Sequence, residues 1–334
     1  MFSLLSQFGI TRLVSLLQVE KKIVNLGQRN YHKGELVKKR LITMEGELVG
    51  IIGGTGFGDV LGRQLTGVKF HDVDTPFGKP SAPIMVGAMG QRRIAFLNRH
   101  GEGHKLSPSE VPFAANVFAM KMLGVHTVIG SGAVGSLREE IAPGELVIVD
   151  QFIDKTFGRL NTFFRGFGAV HCEMTEPACS RVREVLIDAA KETDVMTHPD
   201  GTYVCMEGPQ FSSRAESLMH RGWGGDLIGM TAMPEAKLAR EAQICYALIA
   251  LVSDYDCWRP HHAKKSKQSL LQEIMANLQT ATNNCLKLIQ TVLTGKAELV
   301  SEDCTCRRSL ELAVWTEKSQ IHTADKKKLE VLFE

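Results

Sequence analysis

The chain has 334 residues, 44% hydrophobic and 23% charged, a balance that excludes an intrinsically disordered protein. Thirty-nine basic against thirty-seven acidic side chains leave +2, too little for binding nucleic acid or a membrane surface by bulk charge. The longest nearly apolar run, Ile244 to Val252, is about half of the ~20 residues a spanning helix requires, which excludes a membrane-spanning helix.

Residues 1–43 hold eight basic and two acidic side chains, so this basic N-terminal extension carries more positive charge than the whole chain. Its apolar residues (Leu4, Leu5, Ile10, Leu13, Leu16, Leu17) fall at helical spacing. Lys outnumbers Arg and Glu20 and Glu35 intrude, so the composition favours an accessory helix, or translated sequence upstream of a start at Met44, over an organelle-targeting peptide, and the expected location is the cytoplasm.

From Leu48 onward, β-rich runs alternate with helical patterns. Strands are predicted at Leu48–Ile52, Ile94–Leu97, Val125–Ile129, Leu146–Val149, Gly201–Met206 and Tyr246–Ser253. Helices are predicted at Ser109–Leu123, Arg181–Lys191, Ser212–Arg221, Glu235–Ala242 and Ser269–Leu293. This alternation predicts an α/β fold: one domain over residues 44–295, with a central mixed β-sheet flanked by helices. Residues 296–334 are polar and aperiodic, and a flexible tail is expected there.

The eight cysteines (172, 179, 205, 245, 257, 285, 304, 306) include no C-x-x-C pair, so reduced thiols and no metal site are expected. Cys304-Thr305-Cys306 is left open between a small strained disulfide and free thiols.

Five clusters could carry chemistry. Gly53–Asp59 (GGTGFGD) follows a strand, where glycines let backbone N–H groups approach an anion and Thr55 adds a hydroxyl. A dinucleotide loop would need Gly at Asp59, and no tyrosine is followed four residues later by Lys, so a nicotinamide oxidoreductase is set aside. Asn98–His104 offers Arg99 as a planar fork for phosphate and His100 as a switchable donor. Ser131–Ser136 is a small-residue turn at a strand end, the rim where open α/β sheets bind ligands. Glu207–Glu216 presents Phe211 beside a Gly-Pro turn, and Gly229-Met230-Thr231 adds a soft side chain and a hydroxyl. Ser253–Trp258 places Asp254 and Asp256 at i and i+2 beyond an apolar strand, where a carboxyl retains a proton more easily. The adjacent His261 and His262 have no third ligand in view and are expected to bind no metal.

These clusters resemble, in order, the trimeric nucleoside phosphorylases, together with Val73–Pro80 (VDTPFGKP), Gly135–Ile141 (GSLREEI), Asp150–Asp154 (DQFID) and Asp254–Trp258 (DYDCW). The resemblance covers about Leu48 to Leu293. It implies cleavage of a purine nucleoside by inorganic phosphate, a co-substrate, with no metal or organic cofactor. Thr55, Arg99, His100, Gly132, Ala133 and Thr231 would surround the phosphate. Phe211, Met230 and Ser253 would hold base and ribose, Asp254 would share a proton with N7, and Asp256 would lie near the exocyclic amine. Asp at 254 and Ser at 212 resemble the methylthioadenosine-cleaving branch, whereas relatives acting on 6-oxopurines resemble Asn and Glu there. The open alternatives are a 6-oxopurine phosphorylase and an inactive nucleoside-binding protein. Gly229 stands where some relatives carry Asn, and Lys267 where a small apolar residue is expected, which makes Lys267 a specificity position for the 5'-substituent. His171 matches a residue that reaches a neighbouring subunit's site, which implies a homotrimer.

Overall fold

The computed structural model describes residues 47–54, 57–259 and 266–334; the basic extension 1–43, Thr55 and the pair His261–His262 lie outside the described residues. Eleven strands form one mixed sheet: β1 (Leu48–Gly53), β2 (Thr66–His71), β3 (Ile84–Met89), β4 (Arg92–Asn98), β5 (Thr127–Ser136), β6 (Leu146–Val149), β7 (Gln151–Lys155), β8 (Thr197–His198), β9 (Thr202–Met206), β10 (Leu227–Gly229) and β11 (Cys245–Tyr255). The helices are α1 (Phe57–Gly62), α2 (Phe113–Met122), α3 (Ser180–Lys191), α4 (Arg214–Gly222), α5 (Glu235–Glu241), α6 (Lys267–Thr294) and α7 (Thr323–Lys328).

The path β2-β3-β4-β1-β5-β10-β9-β7 is joined at β5 by β11, which continues to β6 and β8. β5 is therefore the hub. β11 runs parallel to it along its whole length, from Cys245↔Thr127 to Tyr255↔Ser136. The other edge is shared: β1 pairs in parallel with Thr127–Gly130, and β10 pairs antiparallel with Gly135 and Ser136. Between them Ser131–Val134 has no ladder partner on that edge among the described residues, so the carboxyl ends of β1 and β10 face each other across a gap, the cleft. Open α/β sheets bind ligands outside the carboxyl ends of their strands.

The sequence pattern ends the strand at Ile129 and makes 130–135 a turn; instead β5 runs on to Ser136. Its glycines are there for space. A Cβ at Gly130 would fall 2.8 Å from the Tyr246 hydroxyl, and one at Gly132 would fall 3.1 Å from Thr231 Oγ1. Pairing with β11 along the whole strand offsets the weakening that glycine brings.

On the face carrying α3 and α6, Val182 and Leu186 of α3 and Leu288, Ile289 and Val292 of α6 are buried against Ile148 of the sheet. α4 begins with a capping box: Glu216 N–H donates to Ser213 Oγ at 3.3 Å, and Ser213 N–H donates to Glu216 Oε2 at 2.8 Å. The last four residues of the Glu207–Glu216 motif therefore serve helix initiation.

The segment 296–334 is not a flexible tail. Leu299 and Leu332 are fully buried, at 0% exposure. Thr127 Oγ1 donates to Leu299 O at 2.5 Å and Gln243 Nε2 to Leu332 O at 2.8 Å. Val314 bridges Val170. The pattern conceals this because the buried apolar residues are spaced along turns and 3-10 segments, with neither the period of a helix nor that of a strand.

Candidate active site

Arg99, one residue beyond β4, is 1% exposed, and its donors are held by the fold. Nε donates to Glu235 Oε2 at 2.8 Å and Nη2 to Glu235 Oε1 at 2.9 Å. Nη1 donates to Ser131 O at 2.9 Å and Nη2 to Ile52 O at 3.3 Å. Four of the five guanidinium hydrogens are thus engaged, and one on Nη1 remains for another acceptor. Tyr246 donates its hydroxyl to Glu235 Oε1 at 2.9 Å. Arg99 therefore ties the end of β1 to the unpaired stretch of β5, at the cleft.

His100 follows it. Nδ1 donates to Leu106 O at 2.9 Å, and the ring stacks on His104 with centroids 4.3 Å apart. Burial, with Arg99 adjacent, lowers its pKa to about 4, so the ring is neutral near pH 7. A neutral ring donating through Nδ1 leaves Nε2 as a lone pair, able to accept from a protonated phosphate oxygen.

Across the cleft, Thr231 lies beside Gly132, two residues past β10. Its N–H donates to the Tyr203 hydroxyl at 3.3 Å. A Cβ at Gly229 would sit 1.9 Å from that same oxygen, so glycine is required there. Ala133, on the unpaired stretch of β5, is exposed.

The two aspartates hang from a bulged strand end. The register between β5 and β11 slips at Ser253, between Val252↔Val134 and Asp254↔Gly135. A bulge re-aims the side chains that follow it. Ser253 Oγ lies 3.1 Å from Val134 O and 2.6 Å from Asp254 Oδ1. The serine hydroxyl has one hydrogen and two acceptors in reach, the Val134 carbonyl and the Asp254 carboxyl, and its bond to Asp254 Oδ1 orients that side chain at the strand end. Asp256 packs over Gly135, whose Cβ would lie 3.3 Å from its own. It is 9% exposed, and Oδ2 has no hydrogen-bond partner among the described residues. A buried acceptor left open is costly unless a ligand fills it.

Met230 is half-buried, and a Cβ at Gly208 would come 2.7 Å from its sulfur. Ser212 Oγ donates to Met206 Sδ at 3.4 Å, whereas Phe211 stands 87% exposed. Lys267 is the exposed first residue of α6. His171 is exposed, its ring edge-on to Trp315 at 4.8 Å and its backbone N–H donating to Ala313 O.

Three positioning residues escape motif reading. Arg159 donates to Met230 O at 2.7 Å, Met233 O at 2.5 Å and Glu207 O at 2.6 Å, and pairs with Glu207 Oε1 at 3.2 Å. It fixes the Met230 and Glu207 segments together. Glu235 and Tyr203 are the others. Only the need of a buried arginine for a counter-ion signals Glu235 in the sequence.

The fold and this cleft define the class: the chain belongs to the phosphorylase superfamily, whose profile it matches over residues 48–294. It is 42% identical over 285 residues to the S-methyl-5'-thioadenosine phosphorylase of Gloeobacter violaceus, covering 84% of this chain and 93% of that one. It is 47% identical to the enzyme of the same name from Cereibacter sphaeroides, covering 70% and 80%. Among solved structures it resembles a methylthioadenosine phosphorylase from an antarctic soil metagenomic library, with TM-score 0.78, 40% identity and coverage of 86% and 99%. It also resembles a mutant of the Schistosoma mansoni adenosine/methylthioadenosine phosphorylase in complex with methylthioadenosine, with TM-score 0.66, 36% identity and coverage of 75% and 91%.

Proposed function

We propose that this chain cleaves S-methyl-5'-thioadenosine with inorganic phosphate, releasing adenine and 5-methylthioribose 1-phosphate in methionine and purine salvage. The observation that carries the reading is the aspartate pair on the bulged end of β11. Asp254 accepts the Ser253 hydroxyl, which fixes its carboxyl at the strand end, and Asp256 has a buried oxygen with no hydrogen-bond partner among the described residues. Together they match N7 and the 6-amino group of an adenine.

Phosphate lies among Thr55, Arg99, His100, the backbone at Gly132 and Ala133, and Thr231. One phosphate oxygen attacks C1' as the C1'–N9 bond breaks, and the bonding pair leaves with the base. Positive charge then builds on the sugar beside the dianion, and negative charge on the purine. Asp254 transfers its proton to N7, so the base leaves neutral. General-acid help of this kind is worth about 10²–10⁴ in rate. Arg159 sets the backbone of Met230, which with Phe211 and Ser253 receives base and ribose. Ser212 favours the aminopurine, and Lys267 bears on the 5'-substituent. Phosphate is a co-substrate, and the reaction draws on no organic cofactor.

The enzyme acts in the cytoplasm as a homotrimer, with His171 completing a neighbouring subunit's site. The exposed Leu312 and the 72%-exposed Trp315, beside His171, suit such a contact. Among the described residues no helix is long and apolar enough to cross a membrane.

The test supplies purified protein with methylthioadenosine, methylthioinosine, adenosine and inosine, with and without phosphate. Adenine release from methylthioadenosine, dependent on phosphate and faster than from the others, is expected. No phosphate-dependent adenine release would refute the reading.

A further inference from the structure

Four of the eight cysteines meet at one point, drawn from three separate stretches of the sequence. The sulfurs of Cys179, Cys245, Cys304 and Cys306 all lie within 4.8 Å of one another. Those of Cys179 and Cys304 are 3.6 Å apart. Four sulfurs held at about 2.3 Å around one zinc ion are roughly 3.8 Å apart, so this cluster has the size of a closed tetrahedral site. Cys179 immediately precedes α3, Cys245 opens β11, and Cys304 and Cys306 come from the C-terminal segment. Cys179, Cys245 and Cys306 are buried and Cys304 half-buried.

The surroundings carry the complementary charge. Arg181 Nη2 is 3.7 Å from Cys245 Sγ, and Arg240 Nη1 is 3.6 Å from Cys306 Sγ. Zinc bound by four thiolates bears a net charge of about −2, and two guanidinium donors to the sulfurs offset it and orient them. Elsewhere a buried cysteine is met by backbone: Cys205 receives the Met233 N–H at 3.3 Å. The tight grouping is thus particular to these four.

We infer that Cys179, Cys245, Cys304 and Cys306 form a structural tetrathiolate zinc site that fastens the C-terminal segment to the sheet. On binding, Zn²⁺ forms four Zn–S bonds and displaces the protons of the thiols, with no change of oxidation state. No position is left open for substrate, so the role is to hold the fold. The sequence hides the site because only the C-x-C pair is local; Cys179 and Cys245 reach it through α3 and β11.

The test uses the full chain, purified under reducing conditions without chelator. Elemental analysis is expected to find about one zinc per chain. After the zinc is stripped, titration with Co²⁺ alone gives thiolate-to-cobalt charge-transfer and tetrahedral ligand-field bands that saturate at about one equivalent and vanish on adding zinc. Cys172→Ser, outside the cluster, keeps this spectrum, and a Cys304→Ser/Cys306→Ser variant loses it. The zinc-loaded chain melts at a higher temperature than the stripped chain. The proposal is overturned if wild type carries no zinc and shows no cobalt spectrum, if the double variant keeps the metal, or if mass analysis finds two of the four joined as a disulfide in the purified chain.

Discussion

Arg99 grips Glu235 with two hydrogen bonds, at 2.8 and 2.9 Å, where neither side chain meets solvent. Burial alone would lower the guanidinium's pKa, but the attraction of Glu235 holds it well above its usual value. The pair, with the Ser131 and Ile52 carbonyls, neutralises Arg99 and holds it in one place, so the cation is a fixed wall and not a mobile arm. Removing one partner of such a pair strands a buried charge, at about 3–5 kcal/mol. Glu235→Gln is expected to lower the free energy of unfolding by that amount and to raise the KM for phosphate more than that for nucleoside. Tyr246→Phe, which removes one neutral donor to the same carboxylate, should cost about 1 kcal/mol. Denaturant titration gives the order; Glu235→Gln as stable as wild type would mean that Arg99 is not anchored there.

The Ser253–Asp254 contact predicts a split between chemistry and binding. Asp254→Asn cannot give up a proton to N7 and should lose about 10²–10⁴ in kcat on methylthioadenosine, with inosine rising relative to it. Ser253→Ala leaves the carboxyl but removes its 2.6 Å partner, so a smaller fall in kcat is expected. Steady-state kinetics on both variants tests this, and kcat for Asp254→Asn within a few-fold of wild type would remove the proton-donor role.

For His100 the prediction concerns pH. Its ring is lowered from 6.5 to about 4 by burial, so it stays neutral throughout the range in which a free histidine would titrate. The kcat/KM profile for phosphate should therefore look the same near pH 6.5 for wild type and for His100→Asn, whose KM for phosphate is raised at every pH. A wild-type inflection near 6.5 that disappears in the variant would show that the ring ionises there.

How much of this was legible beforehand depended on what each element must do. The buried strands β1, β4, β6 and β11 announce themselves through unbroken apolar runs. β2, an exposed edge, and β10, three residues long, lack such a pattern and are set by pairing with neighbours. Glycines mislead in β5, where they look like a turn but make room for Thr231 and Tyr246. For the candidate site, motif order singles out Arg99, Thr231 and the two aspartates, which lie at or just past strand ends. Glu235, Tyr203 and Arg159 were invisible because their work is done through partners tens of residues away in the chain.

Gly229 stands where the fold leaves no room for a side chain. The Tyr203 hydroxyl occupies the space a side chain would take, 1.9 Å from a Cβ at Gly229, with Tyr203 Cζ at 2.5 Å. Gly229→Ala should destabilise by about 1–3 kcal/mol or more, because the neighbour is a fully buried ring. The same change at Gly222, where nothing lies within 4 Å, should be nearly neutral. Combining Gly229→Ala with Tyr203→Ala should recover part of the loss, giving a coupling that thermal unfolding of all three variants can read. Strict additivity would show that the two positions do not compete for that space.

Glu241, the last residue of α5, gives the fold a pH dependence of its own. Burial raises its carboxyl from 4.5 to about 7, although the Phe163 N–H donates to it at 2.7 Å. The native state therefore binds this proton more tightly than the unfolded chain does. Its contribution to stability is complete below about pH 4.5 and is lost as pH rises through about 7. A shift of this size corresponds to about 3 kcal/mol across that window. Glu241→Gln, which keeps the shape without the ionisation, should flatten the dependence of unfolding free energy on pH in that interval. Measured by urea titration at several pH values, wild type should lose stability relative to Glu241→Gln as pH rises from about 5 to about 8, by about 2–3 kcal/mol. Parallel curves for the two proteins would mean that the carboxyl titrates alike in the folded and unfolded chain.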